Sequence, residues 1–454
     1  MGIFLFGRSD KMKRISKDSS LLKTYLKFAF QSIIGMVSIS IYILADTFFI
    51  AQALGEKGLA ALNISLPIYN VVNSLAILIG VGGAIKFSIL KAQKQDDQAK
   101  MYYSLAIKSV FVLAVLFVIT GIFFTGPIVN LIGSDDYLFD YAYDYSRLLL
   151  IGAPAFMFNT LFQAFVRNEH KPRIAMVGMI ASSLLNIVLD YILLFPLNMG
   201  MLGAAIATVF STFVSVIIIL TLRYHKEFSE FINLLKTKVS LSNLKTVIGL
   251  GLSPFISELI SSIVLITYNI LLIQTIGNIG VAAFGIIFNI AIVAMAIFSG
   301  LGHATQPLAS HYYGKKDVSN TKRLLKYAIV IAMIISLVIY IVVNVNASFI
   351  ISLFNRDDNL ALYDISKMGL RLYFIGFFFF GLNSVLSTYF NAIEKVRFAF
   401  LITLIRGLIL IVPIAIVLSR ILGVNGVWMA FPIAELITLM IVFIVLLTKK
   451  KLDN

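Results

Sequence analysis

Long apolar stretches separated by short polar segments run the length of the chain, and they are long enough to predict helices that cross a membrane. A helix rising 1.5 Å per residue needs about 20 apolar residues to cross a hydrocarbon layer of about 30 Å. About twelve stretches qualify: roughly 28–50, 59–85, 102–128, 147–167, 174–195, 203–223, 246–276, 281–308, 324–346, 368–392, 398–419 and 424–448. The expected fold is therefore all-α and integral to the membrane, with twelve transmembrane helices.

The polar segments alternate in sign. KAQKQDDQAK (91–100), RNEHKPR (167–173), the stretch 223–245 with Arg223, Lys226, Lys236, Lys238 and Lys245, GKKDVSNTKR (314–323) and EKVR (394–397) are basic. AQALGEKG, SDDYLFDYAYDYSR, PLNMG, QTIGNIG and FNRDDNLALYD are neutral or acidic. Loops rich in Lys and Arg stay cytoplasmic. Twelve spans with both termini on the basic side, the tail being KKKLDN, satisfy the alternation at every loop. The expected location is the inner (plasma) membrane, multi-pass, with both termini cytoplasmic. The polar start MGIFLFGRSDKMKRISKDSS does not read as a cleavable signal peptide, so insertion through the first helix is expected.

The pattern also repeats. LIGSDD (131–136) has a counterpart in LFNRDD (353–358), RNEHKPR in NAIEKVR (391–397), and GMLGAAIAT (200–208) in GVNGVWMAF (423–431). Six spans per half give both halves the same orientation, and parallel repeats place the pathway at their interface. The expected division is an N-terminal lobe (1–225), a cytoplasmic amphipathic linker (226–245, within HKEFSEFINLLKTK) and a C-terminal lobe (246–454). A linker lying on the membrane is the simpler reading of the middle segment.

Composition agrees with lipid as the solvent: 59% hydrophobic and 13% charged residues, against about 45–50% and about 25% in soluble domains. The formal charge of +15 raises nucleic acid as a partner. Its confinement to short inter-helical segments turns it into a topology signal instead, and the bilayer is the expected partner. The absence of cysteine excludes disulfides, thiolate metal sites and cysteine nucleophiles.

Charges at membrane depth are costly, about 2.5–3.5 kcal/mol each on insertion scales, and so point to function. Counting helix rise puts Asp46 roughly 27 Å and Asp190 roughly 24 Å from the inner ends of the first and fifth helices, and Thr208 roughly 8 Å from the outer surface. Asn186 sits one turn before Asp190 on the same face. Two carboxylates, an amide and a hydroxyl in one half offer hard oxygen ligands for a small cation such as sodium, or for a proton. The simpler alternative is that one Asp lines a wet vestibule. Glu258, Arg406 and Glu435 lie near mid-depth in the second half; structural pairing competes there with substrate or proton binding. The repeat does not copy the acidic pair, because Pro413 stands where Asp190 would recur.

Asn159, Gln163, Asn289 and Asn383 are candidates for a cavity, with interhelical hydrogen bonding as the plainer reading. His303 is expected at the cytoplasmic end of the eighth helix. Lys86 and Lys108 are expected to snorkel. Pro67, Pro154, Pro254 and Pro413 are expected inside helices, as kinks or as packing features. FIGFFFFG (374–381) is expected to face lipid, with cavity lining as the alternative. GVGGAIK (80–86) is too short in spacing for a phosphate loop, which removes an intrinsic ATPase, and NEH (168–170) lacks the second histidine of a zinc protease. No catalytic residue, cofactor or dedicated metal site is expected, and the energy for transport must come from an ion gradient.

Several segments in order carry a family resemblance: LADTFFIAQALGEKGLAALNISLPIY, RNEHKPRIAMVGMIASSLLNIVLDYILLF, GMLGAAIAT, GLGHATQPLASHYYGKKD and GVNGVWMAFPIAE. The chain resembles the multidrug and toxic-compound extrusion (MATE) family over nearly its whole length, with Ala51 where glycine is usual. The resemblance implies two pseudo-symmetric six-helix lobes around a central cleft and a cation-coupled antiporter, proton- or sodium-driven. Asp in the first helix with Asn-x-x-x-Asp in the fifth resembles the DinF-like branch. Carried over by position, this gives a cation site of Asp46, Asn186, Asp190 and Thr208, with Asn159 near the same cavity. Glu258 and Glu435 do not match the other branch's acidic pattern and take no role from it.

The leading expectation is a monomeric exporter of small amphipathic or cationic organic compounds. A flippase for lipid-linked glycans or peptides on the same fold is the alternative. A membrane-embedded enzyme or scaffold is disfavoured by the duplication and by the lack of catalytic clusters. The common sugar-transporter superfamily would show an Asp-Arg signature between helices two and three, which this chain lacks.

Overall fold

The computed structural model describes residues 3–134, 137–224, 228–355 and 359–452, and the described residues form helices and their connections without a strand. The apolar run Ser20–Ala92 spans 73 residues, roughly 110 Å as one helix and far more than a bilayer. It is broken at Gly55, where φ 62 and ψ −145 fall in a region essentially restricted to glycine. The run is thus two helices, α1 (20–54) and α2 (56–92). α3 is Asp96–Phe123. α4 has two arms, Phe139–Ile151 and Ala153–Asn168, meeting at 48°. α5 (Pro172–Leu194), α6 (Gly200–Tyr224), α7 (Leu244–Ile276), α8 (Asn278–Gly314) and α9 (Val318–Val345) follow. α10 has arms Leu360–Tyr373 and Gly376–Ala392, meeting at 41°. α11 (Val396–Leu422) and α12 (Val424–Leu452) complete twelve spans among the described residues.

Several spans begin earlier than hydropathy suggests, α4 and α10 among them. The first arm of α4 starts at Phe139, not near residue 147, and that of α10 at Leu360, not near 368. Both arms carry charges on one face. In α4 the other face buries Ala142, Tyr145, Ser146, Leu149 and Leu150 at helical spacing. Pro154 sits in the first turn of α4's second arm, where a missing N–H costs no helical bond, and the bend falls beside it. FIGFFFFG departs from the lipid-facing expectation: Phe374 and Phe377 are fully buried in the second half's core. Their rings pack against each other, and Phe377 also packs on Phe431.

The buried apolar side chains form two main clusters. One is drawn from 50–247 and the other from 268–442 plus Tyr25, Phe28 and Ala29 at the start of α1. Large apolar side chains such as Phe111, Leu116, Ile334 and Val338 stay exposed, as surfaces solvated by lipid do. The linker holds a short helix, Phe228–Lys236, whose Leu234 enters the first cluster. Lys226, the Asp135–Asp136 and Asp357–Asp358 pairs of the two acidic repeats, and Asp453 and Asn454 of the tail lie outside the described residues.

Between the two halves, contact is tight near the face where α1 begins and α12 ends, the terminus-bearing face of the described residues. A Cβ on Gly82 would lie 2.0 Å from the Val247 carbonyl oxygen, and one on Gly251 would lie 1.8 Å from that of Leu78. At these points α2 and α7 touch backbone to backbone, which only small residues permit. Asn168 and Gln306 exchange two hydrogen bonds, of 3.0 and 2.9 Å. Lys86 pairs with Glu394 at 2.7 Å, and Lys108 donates to the Thr237 carbonyl, so each has a protein partner.

Candidate functional site

Above this contact lies a cavity of about 340 Å³ walled by both halves. Of the sequence candidates, Asn159 and Gln163 on α4, Glu258 on α7 and Arg406 on α11 line it. His303 lines it too, about three turns before α8 ends at Gly314, and so is not at the cytoplasmic end where it was expected. Ser215 donates to Asn159 Oδ1 at 2.8 Å, as does Gln163 Nε2 at 3.1 Å, and Arg167 Nη2 donates to Gln163 Oε1 at 2.7 Å. Arg167 was legible only as a loop charge, but the helix carries it inside, where it is 5% exposed.

Three cavity candidates stand off the wall. Asn289 is half-buried on α8 outside the lining. Glu435 and Asn383 are buried behind Arg406: Asn383 Nδ2 donates to Glu435 Oε2 at 2.7 Å, and Arg406 Nε pairs with Glu435 Oε1 at 3.3 Å. Arg406 also stacks over the Phe380 ring, 4.4 Å from its centroid. Paired and stacked, this charge is compensated within the fold.

Asp46, Asn186, Asp190 and Thr208 come together one to two helical turns farther from the terminus-bearing face. Tyr42 on α1, Ser182 on α5 and Thr212 on α6 line the cavity one turn from Asp46, Asn186 and Thr208, and Asp190 lies a second turn along α5. All four are buried, Asp190 completely. Asn186 Nδ2 donates to Thr208 Oγ1 at 3.4 Å, and Thr208 Oγ1 donates to the Ala204 carbonyl at 3.1 Å. The Asp46 and Asp190 carboxyls are within hydrogen-bond reach of each other. Yet Asp46 Oδ1, Asn186 Oδ1 and both Asp190 oxygens have no donor among the described residues. Four buried oxygens without a donor among the described residues, two carboxylates among them, leave negative charge that nothing on these side chains offsets.

Tyr145, on the first arm of α4, reaches Thr208 with its hydroxyl and lies near both carboxylates. It was hidden in an apparently acidic loop. The spacing 142, 145, 146, 149 was the signal that could have found it.

The MatE family model matches residues 32–192 and 254–417. The multidrug export protein MepA of Staphylococcus saprophyticus is 26% identical over 424 residues, covering 92% of each chain. That of Staphylococcus haemolyticus is 27% identical over 427 residues, again covering 92% of each. Among solved structures, the outward-facing conformation of a multidrug resistance MATE family transporter of the MOP superfamily superposes with a TM-score of 0.85 at 25% identity. It covers 93% of this chain and 94% of that one. A MATE in complex with MaL6 gives 0.85 at 25% identity, over 93% and 95%.

Proposed function

Because the chain belongs to the MatE family, we propose that it is a DinF-like, proton- or sodium-coupled antiporter exporting small amphipathic or cationic organic molecules by alternating access. As a family member it is a multidrug efflux transporter of the plasma membrane, a secondary transporter and not an enzyme. The observation that carries the coupling reading is the cluster of unserved oxygens on Asp46, Asn186 and Asp190.

The cycle follows from electrostatics. Lobes 1–225 and 246–454, joined by 226–245, rock about the cavity as a monomer, with both termini cytoplasmic. The packing at the terminus-bearing face supports an outward-open state here. A cation entering from outside neutralises the carboxyl pair and lets α1 and α5 close around it. That displaces substrate from the cavity one to two turns below. Coupling requires only that cation and substrate favour different states.

The test uses proteoliposomes with an imposed pH or sodium gradient, each alone. Asp190→Asn is expected to lower gradient-driven efflux at least tenfold while drug binding persists, and the gradient that drives wild type names the ion. Efflux unchanged by the substitution would sink the assignment.

A further inference from the structure

Arg167 lies buried on the cavity wall, in the last turn of α4, and cation coupling gives it no task. A guanidinium carries five N–H donors. Nη2 meets Gln163 Oε1 at 2.7 Å and Met179 Sδ at 3.8 Å, whereas the buried Nε meets no acceptor. No carboxylate pairs with it among the described residues. Its charged neighbourhood holds His303 from the other half, not an acid. A buried charge is ordinarily retained with its counter-charge, and Arg406 shows that arrangement with Glu435. The helix terminus favours a cation here but leaves Nε unserved.

The other half contributes a comparable group. Glu258 on α7 lines the same cavity and has no ion pair among the described residues. One unpaired cation and one unpaired anion, on opposite halves, thus face a single space of about 340 Å³. That is within the range of about 300–1,000 Å³ that holds drug-sized molecules.

We infer that the cavity selects zwitterionic amphiphiles, with an oxyanion (carboxylate, sulfonate or phosphate) on Arg167 and a cationic centre toward Glu258. The planar fork of the guanidinium matches an oxyanion through two parallel hydrogen bonds. Because the contact is desolvated, it discriminates strongly against an uncharged analogue. This rests on the export reading and narrows its substrate class. An anionic lipid headgroup presents the same oxyanion and is the competing source.

Paired probes test it: an amphipathic amine with a free carboxylate, and its methyl ester, which keeps shape and cation but lacks the oxyanion. In gradient-driven proteoliposomes, wild type is expected to take the acid with a KM about tenfold below that of the ester. Arg167→Gln is expected to raise the KM for the acid to the level of the ester. Equal KM values for acid and ester in wild type, or a variant that slows both alike, overturn the proposal. Thermal unfolding without substrate guards against a folding artefact. Removing an unpaired buried charge should leave the midpoint unchanged or raised, and a fall would make Arg167 structural and overturn the inference. A preference that persists in both phosphatidylcholine and phosphatidylglycerol liposomes assigns the oxyanion to the solute. Stabilisation by phosphatidylglycerol with acid and ester equal overturns that assignment. Failure of wild type to move either probe overturns the export reading itself, which is a distinct result.

Discussion

Arg406 and Arg167 carry the same guanidinium into the membrane and meet opposite surroundings. Arg406 is answered by Glu435 and the Phe380 ring; Arg167 meets, among the described residues, an amide and a thioether. Sequence depth marked the first as buried and the second as a loop charge, because only three-dimensional packing draws the end of α4 inward. The acidic pair was legible for the opposite reason: Asp46 and Asp190 sit deep inside long apolar runs, where counting rise suffices. His170, in the turn after α4, gives a measurable residue-scale consequence. Its ring meets His311 edge-on at 4.5 Å and Phe28 at 5.8 Å. Burial, with the Lys315 ammonium adding to it, holds its imidazole below the ordinary range. The unfolded chain takes up this proton near pH 6.5, and the folded chain only at lower pH. The stability His170 contributes is therefore full above about pH 6.5 and is lost as pH falls through the folded value. Unfolding midpoints measured between about pH 7.5 and pH 5 should fall on the acid side, and less steeply for His170→Asn. Parallel slopes for the two proteins would contradict this.

Helices obey the duplication more strictly than the residues do. Gly55 closes α1 onto α2 and Gly277 closes α7 onto α8, 222 positions apart, with nearly the same backbone angles (φ 62, ψ −145 and φ 74, ψ −158). The bends of α4 and α10 also recur, at 48° and 41°. α11 departs from its partner α5: Pro413 has no N–H for the carbonyl of Ile409, and the preceding turns Ile405–Leu410 widen into a π-helix that carries Arg406. Hydropathy resolved the twelve spans because each is long and nearly uncharged. It missed the first arms of α4 and α10, whose polar faces dilute the average over any window. At Gly277 no atom stands within 4 Å of an added Cβ, so Gly277→Ala tests backbone strain alone. A loss of about 1–3 kcal/mol is expected, read as a lower unfolding midpoint in detergent. An unchanged midpoint would mean the hairpin adapts without strain.

On the scale of the whole molecule, the two halves are held together at one end and face a shared cavity above it. Gly251 against the Leu78 carbonyl leaves no room for a side chain. Gly251→Val should therefore wedge α7 from α2 and shift the population toward the opposite opening. The chain has no cysteine, so single cysteines introduced beside residues 82 and 306 can report this directly. Their labelling by a membrane-impermeant thiol reagent from the terminus-bearing side is expected to rise at least severalfold in the variant. Equal labelling would show that closure does not depend on this contact. At the same end the halves are also joined by the two reciprocal hydrogen bonds between Asn168 and Gln306. Primary amides neither titrate in the physiological range nor respond to ionic screening, unlike the neighbouring pair Lys86–Glu394. The latch thus keeps a constant grip whatever the acidity or salt on its own side, and the timing of the cycle is left to events at the opposite face.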